Sequence, residues 1–274
     1  PKDGVRPAEV SVMRRMLEAG AGQVRLVTLA PEQDAGMKVT RMLADSGVVV
    51  SAGHCDPSLE QLRAAVDAGL SLFTHLGNGC PVLIHRHDNI IQRVLAMRER
   101  IAPTFIADGV HVSLPVLGNY LRLAGLDRAI VVTDAIAAAG LGPGTYRLGR
   151  WHVAVDENLA AWAPDRSHLV GSAVTMKRAA ENLRTLGLTA EQITALADAG
   201  VDLLMVETMM SVDEAAQAVL AAREAAPQLK VIVLFTVDEE ANCLDGTSPE
   251  VAAQRMTGVV ADAVGCNCST VAAT

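Results

Sequence analysis

VVVSAGHCDPSLEQLRAAVDAGLSLFTH, residues 48–75, reads as a strand, a helix and a second strand. The runs VVVSA (48–52) and LSLFT (70–74) are short and continuously apolar, as suits strands covered on both faces. Between them Pro57 opens a helix and Gly69 stops it, the asymmetry that helix ends favour. Strands joined through a helical crossover run parallel. The two runs lead into His54 and His75, and a third, AIVVT (129–133), leads into Asp134. A parallel α/β barrel gathers the carboxyl ends of its strands in one mouth, so these three groups are expected to converge there.

Outward from this unit the pattern repeats. An amphipathic stretch from Pro7 to Gly20 precedes the strand VRLVTLA (24–30), and a helix near Ala35 to Ser46 leads into VVVSA. After a loop from Gly77 to Asp88 come a helix near Ile90 to Arg100, the strand APTFIA (102–107), a helix near Pro115 to Ala124, and AIVVT. The segment from Gly140 to Ser167 breaks the rhythm and reads as a small β insertion over the strand ends. Helices follow at Thr175 to Leu186 and Ala190 to Ala199, then VDLLMVE (201–207), a helix near Val212 to Ala225, KVIVLFT (230–236), a helix from Pro249 to Val260, and DAVGC (262–266). These make eight apolar runs linked through helices, the number that closes a (β/α)8 TIM barrel. The segment from Pro7 to Gly20 would then be the outer helix that follows the last strand. A doubly wound open sheet is the competing architecture, but no Gly-rich phosphate turn follows a strand. GLGPG (140–144) reads as turns, since no helix start follows it.

The chain is 50% hydrophobic but only 3% aromatic over 274 residues, so its core must be largely aliphatic. Barrels of about 250 residues form one domain, and a single domain over residues 1–274 is expected. A formal charge of -8, with no Lys/Arg-rich run, carries no footprint for nucleic acid or an anionic membrane surface. No apolar run approaches the ~18 residues of a membrane span. Five unevenly spaced cysteines, Cys55, Cys80, Cys243, Cys266 and Cys268, read as reduced thiols of a cytoplasmic protein rather than a disulfide framework.

VTLAPE (27–32), SAGH (51–54), THLGN (74–78), IADGVHV (106–112), VTDA (132–135) and HLVGSAVTM (168–176) occur in that order. With these motifs, residues 1–197 resemble N-acetylglucosamine-6-phosphate deacetylase of the amidohydrolase superfamily, from its fourth to its eighth barrel strand. That family's β-sandwich, its His-x-His first strand and the third-strand Glu that binds metal have no counterpart here, and Glu32 is not that Glu. From about Asp198 the chain is instead similar to the homocysteine S-methyltransferase barrel, through AGVDLLMVET (199–208), FTVDEEANCLDGTSPE (235–250) and DAVGCNCS (262–269). Five strands of one barrel and three of another total eight, which points to an engineered or recombined chimera closing one circularly ordered barrel.

The resemblance implies that His54 and His75 ligate a divalent metal, zinc being suited to neutral imidazole. It implies that Asp134 takes a proton from the attacking water and returns it to the leaving amine, and that His111 contacts the acyl carbonyl. Asn78 and Arg86 match the sugar-phosphate contacts, although the usual YNAM and REPG are here GNGC and RHDN. In the family the phosphate is often recognised across a dimer interface, so a homodimer binding a small amino-sugar phosphate is implied. In the methyltransferase-like part, Glu207 resembles a homocysteine contact and Cys268 one of three zinc-binding cysteines. The other two cysteines are missing, so methyl transfer is not expected. Cys268 would end the strand beside VRLVTLA, where a Cys268, His54 and His75 triad could take zinc, and an empty or weakly filled site stays open beside it.

Each residue also has a plainer reading: His54 and His75 as caps of strand ends, Asp134 as cap of a following helix, His111 as a loop histidine. The reaction implied is hydrolysis of the N-acetyl group of N-acetylglucosamine-6-phosphate. A catalytically silent barrel scaffold and a homocysteine-binding remnant are the alternatives.

Overall fold

The computed structural model describes residues 7–20, 22, 24–148, 151–198, 203–209, 211–225, 230–237, 242–243 and 245–266. In chain order the first part comprises α1 (Val10–Ala19), β1 (Leu26–Leu29), α2 (Lys38–Asp45), β2 (Val49–Ala52), α3 (Leu59–Asp67), β3 (Leu70–Phe73), α4 (Ile90–Leu95), β4 (Ala102–Ile106), α5 (Leu114–Ala124) and β5 (Ile130–Val132). These five strands form one parallel sheet in sequence order, with pairs such as Val27 with Val50 and Phe105 with Val131. Its core is aliphatic apart from Phe73 and Phe105, as the composition requires: Val39, Leu43, Val50, Leu62, Val94, Leu117 and Leu121 are almost fully buried among them.

Local chemistry sets the helix starts. Ser58 and Gln61 close a reciprocal capping box at α3, Ser58 Oγ accepting from the Gln61 amide at 3.1 Å and Gln61 Oε1 from the Ser58 amide at 2.8 Å. The expected helix from Ala35 begins instead with a 3₁₀ turn, Ala35–Met37, because Met37 takes a left-handed conformation. The buried Asp34 carboxylate serves the first turn of α2, accepting from the amides of Val39 (3.0 Å) and Thr40 (2.7 Å) and from the Thr40 hydroxyl (2.8 Å).

The β insertion is a four-stranded antiparallel sheet of β6 (Gly144–Leu148), β7 (Trp151–Val155), β8 (Ala160–Trp162) and β9 (Leu169–Ser172). It runs to Ser172 rather than Ser167, because 169–172 pairs with β8 and then bridges back to Ala135 beyond β5. Its own small core holds Ile136, Val153, Val155, Ala161 and Ala173.

After α6 (Met176–Thr185) and α7 (Ala190–Asp198) come β10 (Leu203–Met209), α8 (Val212–Ala225), β11 (Lys230–Phe235), α9 (Pro249–Gly258) and β12 (Ala263–Cys266). The last three strands form a second parallel sheet with a separate core around Val219, Val231, Val233, Phe235 and Met256. All eight expected strands are therefore present, in a mixed α/β fold with parallel sheets. They form two sheets rather than one hydrogen-bonded ring: among the described residues no ladder joins β12 to β1 or β5 to β10. β5 has only three residues to pair before the chain turns into the insertion. At the other seam the sheets touch through side chains, Leu26 of β1 packing on Ile232, Leu234 and Ala263. No described helix is long and apolar enough to cross a membrane.

Candidate active site

Four consecutive parallel strands each carry a titratable residue two positions past their last residue: His54 after β2, His75 after β3, Asp108 after β4 and Asp134 after β5. Three of the four have left-handed backbones, with φ of 50° at His54, 34° at His75 and 50° at Asp134. For residues other than glycine this costs of order 1–3 kcal/mol each and persists only where the surroundings impose it. Asp134 caps no helix, since turns follow it at 137–141. Its conformation is fixed instead by β9: the Ser172 amide donates to the Asp134 carbonyl at 2.8 Å, and the Ile136 amide to the Ser172 carbonyl at 2.8 Å.

The rings of His54 and His75 meet edge to face, centroids 4.5 Å apart and planes at 86°. His75 is buried, its amide donating to Thr104 Oγ1 at 2.7 Å, and its Nδ1 is fully enclosed with no hydrogen-bond partner. Burial, with a contribution from His111, holds His75 at about 4. His54 keeps an open edge to solvent, yet the packed surroundings and His75 bring it also to about 4, against an opposing pull from Asp134. Both rings are thus neutral near pH 7, the form in which imidazole ligates metal. Below them the hydroxyls of Thr28, Ser51 and Thr74 join across β1 to β3, at 3.1 Å between Thr28 and Thr74 and 2.7 Å between Ser51 and Thr74.

Gly79 lies against the His54 ring with φ of 65°, and a Cβ there would stand 2.7 Å from His54 Cδ2. Asn78 donates its side-chain amide to the His75 carbonyl at 3.3 Å, and its backbone amide reaches the same oxygen at 3.0 Å. Arg86 lies exposed on the 81–88 loop, whose Val82 and Leu83 are almost wholly open to solvent. Glu32, beyond β1, accepts from the Asp56 amide at 2.9 Å. Among the described residues no three His, Cys, Asp or Glu side chains form a group able to hold a metal. Glu207 lies within β10, its side chain outside the described residues, as is Cys268 altogether.

Asp108 was not singled out by the sequence, and it organises the far side of the site. Its Oδ1 accepts the amides of Val110 (2.8 Å) and His111 (2.9 Å), and its Oδ2 meets His111 Nδ1 at 2.6 Å and the Ser172 hydroxyl at 3.1 Å. Burial works to raise this carboxyl, but the bonds from His111 and the two amides outweigh it and hold Asp108 below the ordinary carboxylate range. An ionised Asp108 can only accept at both oxygens. Asp134 behaves oppositely: burial lifts it above the ordinary range, Asp108 adding to the lift while His111 and His54 oppose it. The only sequence signal for Asp108 is the turn chemistry of Asp-Gly, in which a carboxylate accepts amides two and three residues on.

In sequence the chain is 34% identical over 186 residues to an N-acetylglucosamine-6-phosphate deacetylase of Lysinibacillus sphaericus, a match covering 68% of this chain and 47% of that protein. The N-acetylglucosamine-6-phosphate deacetylase of Bacillus subtilis is similar, at 34% over 185 residues, with 67% and 46% covered. In structure the chain resembles the N-acetyl-D-glucosamine-6-phosphate deacetylase of Mycobacterium smegmatis, with a TM-score of 0.63 and 31% identity over 71% of this chain and 51% of that one. The homocysteine S-methyltransferase family model matches residues 173–274, so it takes in α6 and α7 ahead of Asp198. The chain spans about half the length of the curated relatives it matches. Over the larger part of its length it is homologous to N-acetylglucosamine-6-phosphate deacetylases, and its last third is similar to the S-methyltransferase family.

Proposed function

We infer that the chain is one barrel-type domain assembled from two barrel fragments, and that its strand ends carry a divalent-metal-dependent deacetylase site for the N-acetyl group of N-acetylglucosamine-6-phosphate. The observation that carries this reading is the convergence of His54, His75 and Asp134, each strained at the same position past its strand, beside His111. The packing of Leu26 on the second sheet supports a single domain.

The donor chemistry suits a metal. Two neutral imidazoles at adjacent strand ends, one with an enclosed nitrogen that has no other partner, fit an ion such as zinc, and His54 and His75 would hold it. When bound, such an ion acidifies water and polarises a carbonyl. Asp134, kept above the ordinary carboxylate range by burial, is suited to take a proton from the attacking water and deliver it to the departing amine. His111, its Nδ1 committed to Asp108, keeps Nε2 for the substrate, and it would donate from there to the acetyl oxygen as the doubly protonated ring, in which both nitrogens are donors. Asn78 would contact the sugar, and the Arg86 guanidinium offers bidentate recognition of the phosphate.

Zinc in catalytic sites takes about three protein ligands, and the described residues supply two. That shortfall favours, as a second reading, a folded barrel without turnover. The two separate on metal content and acetate release from N-acetylglucosamine-6-phosphate, measured on the purified chain and on a His54→Ala, His75→Ala double variant. The deacetylase reading expects bound metal and acetate from the parent chain and neither from the variant. Equal metal content in both would reject the ligands, and a metallated parent releasing no acetate would leave the silent barrel.

A further inference from the structure

Ser172 sits at the end of β9, fully buried, and meets the main chain of Asp134 and the carboxylate of Asp108. Its backbone is bridged to the chain at Asp134, through the amide of Ser172 and the amide of Ile136, both at 2.8 Å. Its hydroxyl donates to Asp108 Oδ2 at 3.1 Å and accepts the Val174 amide at 3.1 Å. Asp108 in turn holds His111 through both the ring and the backbone amide. On the strand side, Asn182 of α6 donates to the Ala107 carbonyl at 2.9 Å and pins the end of β4 immediately before Asp108.

We propose that Asp108, braced by the Ser172 hydroxyl, is a positioning residue which fixes His111 in its Nδ1–H tautomer, so that the neutral ring presents Nε2 as an acceptor. The role assigned to His111 rests on the deacetylase reading; the tautomer does not. Every lone pair of Asp108 that faces protein is met by a donor: two amides on Oδ1, an imidazole and a hydroxyl on Oδ2. Both amides converge on Oδ1, so an asparagine in this place must put its carbonyl oxygen there and its NH2 at the Oδ2 position. That NH2 faces His111 Nδ1 as a donor, which forces the ring into the opposite tautomer, with its proton on Nε2.

The test is heteronuclear NMR on the full chain with ¹⁵N-labelled histidine, read at about pH 8, above the ordinary histidine range. The parent should show His111 with its proton on Nδ1, and Asp108→Asn should move it to Nε2. A parent ring protonated on Nε2, or a variant that leaves the tautomer unchanged, overturns the proposal. The parent spectrum alone is able to do so, which keeps the test decisive if Asp108→Asn does not fold. Absence of acetate release from the parent would defeat the reaction reading and leave the tautomer measurement standing.

Discussion

The ring of His75 is enclosed edge to face against His54, centroids 4.5 Å apart, and burial holds it at about 4 rather than 6.5. Between those values the unfolded chain binds a proton that the folded chain refuses. Stability is therefore full above about 6.5 and declines as pH falls toward about 4. At ~1.4 kcal/mol per unit, His75 contributes up to about 3 kcal/mol of this slope. His54 acts in the same direction with solvent screening its share, and Asp134, raised by burial, acts against both. Urea titrations of metal-free protein across this range should show the decline, and His75→Asn should flatten it. An equal slope in parent and variant would refute the assignment.

Gly79 predicts a second effect on the same ring. Alanine there would place a Cβ 2.7 Å from His54 Cδ2 on a backbone with φ of 65°. Both the contact and the left-handed conformation oppose a side chain, so Gly79→Ala should cost about 1–3 kcal/mol and displace the His54 ring. Denaturant midpoints and the His54 ring resonances check it; unchanged ring shifts would rule out the close approach.

Much of this site was legible because each strand announces its own end. VVVSA, LSLFT and AIVVT are apolar up to the point where His54, His75 and Asp134 leave the sheet, and a parallel arrangement brings such ends together whatever their spacing in sequence. What the sequence did not show depends on partners far along the chain. Asp108 is tied to the rest of the site by Ser172, 64 residues away, and the Asp-Gly pair before His111 reads locally as a turn. The division into two sheets was hidden for a related reason: counting apolar runs gives the number of strands, while the ladders depend on how far each extends, and β5 is only three residues long. The left-handed turn that delays α2 has one local signature, Gly36, and none at Met37.

Asp262 anchors the second sheet and titrates in the opposite sense to His75. It accepts the Val231 amide at 2.8 Å and pairs with Lys230 at 3.0 Å and with Arg223 of α8. Against a penalty from burial, these bonds hold it down at about 2. A depressed carboxylate stabilises the fold above its unfolded value of 3.8, and that contribution is lost as pH falls from there toward about 2. Asp262→Asn should lower stability at neutral pH by about 1–2 kcal/mol and reduce the acid dependence below pH ~4 by the same amount. A variant with the parent's acid-unfolding profile would contradict this.

The seam between the sheets is the contact on which a single domain depends, and Leu26 is its probe. This residue belongs to β1, yet it packs on Ile232, Leu234 and Ala263 of the second sheet, and close approach there is possible because Gly265 has no Cβ: one would stand 2.8 Å from Leu234 and 3.8 Å from the Leu26 carbonyl. If that contact couples the two cores, removing it must loosen both sides. Leu26→Ala should cost about 1–3 kcal/mol, as expected for a partly buried leucine. Amide exchange should then accelerate at Val50 of β2 and at Val233 of β11 alike. Faster exchange confined to β1 and β2 would mean that the sheets unfold independently and that the two fragments lie side by side without forming one cooperative unit.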